Sequence, residues 1–192
     1  MSRFLMMVLT LLILAPPSEA QSPETKPREQ AMGTRLRDYG GFVELDTRFG
    51  NMMGDFAAFA GARGAVLLKQ RVYLGLGGAG LATDNPVPGS GERLGMGYGG
   101  FLVGYVVHTA SLVNFTADVL VGAGGLSTHS TDGIDHIFVF EPAVGLELRL
   151  ARFARIGLGA GYRYIGSADL AGVQDSDLRG LTGTVSLRAG WF

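Results

Sequence analysis

The chain has 192 residues, 17% of them charged, with a net charge of −1, 31 glycines and no cysteine. That near-neutral balance gives no electrostatic case for nucleic-acid binding. The missing cysteines exclude disulfides, thiolate metal sites, cysteine nucleophiles and acylation at a lipoprotein cysteine.

Residues 1–20 read as an export signal. Arg3 supplies the positive start, Phe4 to Leu14 the apolar stretch, and Ser18-Glu19-Ala20 the small residues of a cleavage site. Residues 21–38, QSPETKPREQAMGTRLRD, are polar and aromatic-poor and cannot bury enough surface to fold alone, so a flexible periplasmic leader is expected there. Mean hydropathy is high at +0.25, yet after the signal no apolar run is long enough for a transmembrane helix. Apolar residues dealt out at every second position reconcile the two.

That alternation starts at Gly41–Phe49, where Glu44, Asp46 and Arg48 share one face. Three weaker segments follow at about 56–68, 72–83 and 94–106, with Gly and Ala on both faces. Val113, Phe115, Ala117, Val119 and Val121 then make an unbroken apolar face opposite Asn114, Thr116 and Asp118. Phe138, Phe140, Val144, Leu146 and Leu148 oppose Glu141, Glu147 and Arg149, and Ile156, Leu158, Ala160, Tyr162 and Tyr164 oppose Arg155 and Arg163. The last segment, Leu181–Phe192, sets Gly183, Val185, Leu187, Ala189 and Trp191 against Thr182, Ser186 and Arg188.

Eight strands result, joined at about 50–55, 69–71, 84–93, 107–111, 127–136, 151–153 and 166–178. Short and long connections alternate from the second onward, the asymmetry of outer-membrane barrels with tight periplasmic turns and longer external loops. The fold class expected is therefore all-β: a single eight-stranded antiparallel up-and-down transmembrane barrel over 39–192, with both termini periplasmic. Eight strands enclose a lumen just wide enough for side chains, not an open pore. The charges assigned inward are Glu44, Asp46, Asp118, Glu141 and Glu147 against Arg48, Arg63, Arg149, Arg155, Arg163 and Arg188. In a low dielectric they are expected to interlock as ion pairs. A three-residue turn at 151–153 puts Glu141 across from Arg163, which predicts one specific pair.

On this alternation and the terminal Trp191-Phe192, the chain resembles the small eight-stranded outer-membrane barrels of the OmpA/OmpX type. The resemblance implies an outer-membrane location and recognition of the C-terminal strand by the insertion machinery. Phe192 is out of phase with the lipid-facing set, which predicts either a bulge or a Phe192 folded over the periplasmic rim.

Candidate chemistry is sparse. Ser127-Thr128-His129-Ser130-Thr131-Asp132-Gly133-Ile134-Asp135-His136 holds the residue types of a hydrolase triad or cation site, but in a loop and with no specific spacing. His108 falls in a turn. Gly75, Gly77, Gly95, Gly97 and Gly99 are assigned inward, where they give arginines room; without a following helix they form no phosphate loop. Pro142 breaks the pattern inside the sixth strand and predicts a bulge or a missing hydrogen bond near the outer third of the wall. Neither a cofactor nor a metal is expected.

The expected function is a non-enzymatic structural or surface-interaction role, with external loops contacting lipopolysaccharide or an extracellular partner. Two alternatives stand beside it. A lipid-modifying outer-membrane enzyme needs a wall-mounted Ser/His/acid group, and a soluble periplasmic carrier of an apolar ligand needs the polar face outside.

Overall fold

A computed structural model describes residues 39–86, 93–108, 112–128, 135–166 and 175–192. The expected signal and leader, 1–38, and residues 129–134 of the His-bearing loop lie outside the described residues.

The strands are β1 (Tyr39–Met52), β2 (Asp55–Leu68), β3 (Val72–Leu81), β4 (Leu94–His108), β5 (Val113–Thr128), β6 (Asp135–Arg149), β7 (Ala154–Gly166) and β8 (Gly180–Trp191), with a four-residue helical turn, α1 (Asp175–Leu178), before the last. Each pairs antiparallel with its sequence neighbour, and β1 pairs with β8 to close the barrel. A hydrogen-bonded walk from Gly40 through Leu67, Tyr73, Gly104, Asp118, Ala143, Gly161 and Thr182 returns to β1 at Gly50, ten residues further along. With a rise of ~3.3 Å and a strand spacing of ~4.7 Å, that stagger tilts eight strands by about 40°.

The start of β1 at Tyr39, the end of β8 and the turns at 69–71 and 150–153 lie at one end, the terminal end; the β1–β2 turn and the strand ends at Leu81, Leu94, Thr128, Asp135 and Gly166 lie at the other, the loop end. At 68–71 the Arg71 amide bonds the Leu68 carbonyl at 3.1 Å across Lys69 (φ 49°) and Gln70 (φ 55°). The first connection is shorter than the expected 50–55, because Met53 (φ 55°) and Gly54 (φ 85°) turn the chain in two residues and let both strands run on.

The outer face exposes Val43, Leu45, Leu76, Phe101, Phe115, Phe138, Phe140, Leu146, Leu148, Ile156, Leu158 and Leu187. Val113 and Val119 share that phase and are half-buried. Aromatics gather toward both ends: Tyr39, Tyr105, Phe153 and Trp191 at the terminal end, and Phe49, Phe56, Tyr162 and Tyr164 at the loop end. An apolar exterior with aromatic girdles around a charged interior is the arrangement of a transmembrane barrel. It removes the soluble-carrier alternative, which needed the reverse.

Two expectations are corrected, the facing of three glycines and the depth of the gap at Pro142, and two either-or expectations are decided. Gly75 and Gly77 face inward as expected, but Gly95, Gly97 and Gly99 are exposed on the outside. β4 carries large apolar residues on both phases, and its inward set is Leu94, Met96, Tyr98, Leu102 and Val106. Pro142 makes no bulge: the β6–β7 register is the same on both sides of it, and only the pairs at Glu141 and Pro142 are missing. The gap also sits at mid-strand, not in the outer third, since proline withholds an amide from β7 while its pairing with Val119 on β5 continues. Phe192 needs no register shift either. It stays on the inward phase, partly buried, with the Arg155 guanidinium 3.5 Å from its ring centroid.

Candidate functional site: the lumen and its two mouths

Inward phases of six strands converge on the charged set. β1 places Glu44, Asp46 and Arg48, β2 Arg63, β5 Asp118, β6 Glu141 and Glu147, β7 Arg155 and Arg163, and β8 Arg188, all buried or nearly so. Five carboxylates face five guanidiniums, so the interior carries no net charge.

The contacts form one connected chain. Arg155 Nη1 lies 3.0 Å from Glu147 Oε2, and Arg188 joins Glu147 through Nη1 and Glu44 through Nε at 2.7 Å. Glu44 and Asp46 flank Arg63 Nε at 3.8 and 3.5 Å, and Arg63 Nη1 reaches Asp118 Oδ1 at 3.2 Å. Arg48 donates to Asp46 Oδ1 at 2.7 Å and to Glu141 Oε2 at 2.9 Å. Two tyrosines that the sequence reading passed over complete the set. Tyr73 donates to Asp118 Oδ2 at 2.8 Å, and Tyr98 donates to Glu141 Oε2 at 2.7 Å. Their signal was phase: each is the large polar-tipped residue on the inward side of a Gly-rich strand.

The inward glycines make this packing possible. A Cβ on Gly61 would stand 2.6 Å from Asp46 Oδ1, and one on Gly77 would stand 3.1 Å from Arg63 Cγ. Aromatic faces take the remaining guanidinium surface, Arg188 lying 3.9 Å from the Phe42 centroid.

Two of the charged residues behave differently from expectation. Arg149, expected inside, is exposed at the terminal rim, because the lumen ends before the last residue of β6. The expected Glu141–Arg163 pair does not form. The register that predicted it holds on both sides of Pro142, but Arg48 and Tyr98 take up Glu141, and Arg163 lies 3.9 Å from the Phe59 ring centroid. All three Arg163 guanidinium nitrogens are buried without a hydrogen-bond partner among the described residues.

Toward the loop end the interior turns apolar. Met52, Ala57, Phe59, Leu94, Leu126, Ile137, Val139, Ile165 and Leu178 are almost fully buried there. Leu178 belongs to α1, which docks through the Met53 amide on the Asp177 carbonyl at 2.7 Å. Buried Asn85 ties the β3–β4 connection down by donating to the Phe56 carbonyl at 3.0 Å. Among the internal spaces is a polar cavity of about 40 Å³ between the charges and the small residues Thr116, Gly145, Gly157, Gly159, Thr184 and Ser186. At ~10–15 Å³ apiece, that is room for about three waters.

Of the Ser/His/Asp cluster, Ser127 and His136 stand exposed at the loop-end rim, at the ends of β5 and β6, and 129–134 lie outside the described residues. No three His, Asp or Glu among the described residues are grouped to hold a metal. The two mouths differ in charge. Among the described residues, the loop-end connections and the strand ends beside them carry Asp55, Asp84, Asp135 and Asp177 against Arg93 and Arg179. At the terminal end, residues 69–71 and 149–153 carry Lys69, Arg71, Arg149 and Arg152 and no acid.

No protein-family model matches the chain, and no curated protein matches it. Among solved structures it is similar to Neisserial surface protein A at a TM-score of 0.63 and 11% identity, covering 79% of this chain and 96% of that one. It is also similar to the N-terminal barrel domain of Pseudomonas aeruginosa OprF, with a TM-score of 0.55 and 10% identity over 78% and 97% of the two chains. The attachment invasion locus protein Ail of Yersinia pestis, solved with the heparin analogue sucrose octasulfate, gives 0.54 and 10% over 80% and 98%. The fold is that of the small eight-stranded outer-membrane barrels.

Proposed function

We propose that the chain is an integral outer-membrane protein with a closed lumen, both termini in the periplasm, and a loop end that serves as its surface-interaction face. The observation that carries this reading is the interior. A run of ion pairs spans from Arg155 to Arg48, its one surplus carboxylate balanced in the lumen by the unpaired Arg163, and an apolar layer from Met52 to Leu178 lies above it. An ion crossing that layer would shed its water without compensation. Once passage is closed, the loops are the part free to act.

Their acid excess sets the partner chemistry. It disfavours direct capture of a polyanion such as the sucrose octasulfate in the Ail structure. It favours a cationic extracellular partner, or lipopolysaccharide whose phosphates are bridged to loop carboxylates by divalent cations. The test is reconstitution into planar bilayers, followed by lipopolysaccharide binding with magnesium and with a chelator. We expect no stepwise conductance and binding that magnesium supports. Steady channels would overturn the closed lumen, and binding unaffected by the chelator would overturn the cation-bridged contact.

A further inference from the structure

The terminal rim carries a second interaction surface. Lys69 and Arg71 sit in the β2–β3 turn and Arg149 and Arg152 around the β6–β7 turn, all exposed. Between the two turns run the end of β8 and the start of β1, which expose Trp191 and Tyr39. Trp191 is the chain's only tryptophan, and its ring lies on the outer face over Gly41, where a Cβ would stand 2.7 Å from Trp191 Cζ2. Gly190 N bonds the Phe153 carbonyl at 2.9 Å, which ties the basic β6–β7 turn to this edge.

We propose that this basic arc docks the headgroups of anionic glycerophospholipids, with Trp191, Tyr39 and Phe153 seated at the level of the glycerol backbone. Three features point to a lipid headgroup. The cations flank an aromatic edge at the boundary of the apolar exterior, where amphipathic rings settle in a bilayer. The exposed Lys and Arg stems are long enough to lie along apolar surface while their heads reach phosphate. The two-residue turn also holds Lys69 and Gln70 at φ 49° and 55°, a conformation in which Asn-Gly would be relaxed, so the cation stands where the backbone disfavours it. The surface rests on the chain spanning a bilayer, but not on which compartment the loops face.

Trp191 reports the lipid beside it. The full chain is folded into phosphatidylcholine vesicles containing phosphatidylglycerol, with one lipid or the other brominated, and quenching of Trp191 is measured. Each basic group near an anionic surface is worth about a five-fold preference, so brominated phosphatidylglycerol should quench well beyond its mole fraction. High salt should weaken this, and Lys69→Gln with Arg71→Gln, or Arg149→Gln with Arg152→Gln, should reduce it, while Arg149→Lys with Arg152→Lys keeps it. Equal quenching by the two lipids, or a preference that survives both Gln pairs, would overturn the proposal. Quenching by neither lipid would instead remove the membrane-spanning reading beneath it. Heat-modifiable migration in detergent verifies that each variant is folded.

Discussion

Arg48 and Arg163 are equally buried arginines in one lumen, and their surroundings could hardly differ more. Arg48 stands among Asp46, Glu141 and Tyr98 and finds an oxygen for each contact it needs. Arg163 lies on Phe59 with its guanidinium nitrogens unmatched. Burial alone therefore says little about what a charge contributes. What counts is the penalty left behind when the charge is removed: without Arg48, Glu141 would keep no cation and Asp46 only its 3.5 Å contact with Arg63, while around Arg163 no carboxylate among the described residues would be stranded.

The largest expected effect is Arg48→Met, which leaves buried Glu141 without a cation and Asp46 with Arg63 alone, and should cost about 3–5 kcal/mol in urea unfolding from vesicles. A loss below about 1 kcal/mol would mean that the network reassembles without it. Tyr98→Phe removes one hydroxyl from Glu141 while Arg48 stays, so a smaller loss of about 1–2 kcal/mol is expected. Arg163→Met replaces an unmatched guanidinium with an apolar chain on Phe59 and should be neutral or stabilising by about 1 kcal/mol. If it destabilised as much as Arg48→Met, an acceptor would have to lie beside it and the contrast would collapse. The finest test is a double-mutant cycle. Glu141→Gln and Arg163→Met should add within about 0.5 kcal/mol, whereas Glu141→Gln and Arg48→Met should couple by more than that.

The barrel was legible because its signals are redundant. Period-two apolar spacing in β5 and β6, the short-long rhythm of connections and the lack of a long apolar run each point to it independently. Burial of Glu44, Asp46, Glu147 and Arg188 followed from phase alone. Partner choice did not. Glu141 and Arg163 do face each other in register, yet an arginine spans the lumen, and Glu141 meets Arg48 from a strand 93 residues away in sequence. Phase failed in β4 because Tyr98 and Met96 alternate with Phe101 and Val103 across a glycine pair, leaving both faces apolar in places. Arg149 failed for a different reason: pattern gives the face of a residue but not where the lumen stops. The opposite charge of the two mouths was present in the sequence and became readable only once the turns were assigned to ends.

The position of Arg188 has a consequence for the order of assembly. It lies on the last strand and joins Glu44 of the first to Glu147 of the sixth. A sheet of β1 to β7 alone would hold five inward carboxylates against four guanidiniums, with Glu147 left to Arg155 and Glu44 to its 3.8 Å contact with Arg63. Arrival of β8 thus supplies the missing cation at the same moment as the missing backbone pairs. The seam is latched from within, so a half-zipped barrel is disfavoured twice over, once by its open edges and once by its uncompensated charge.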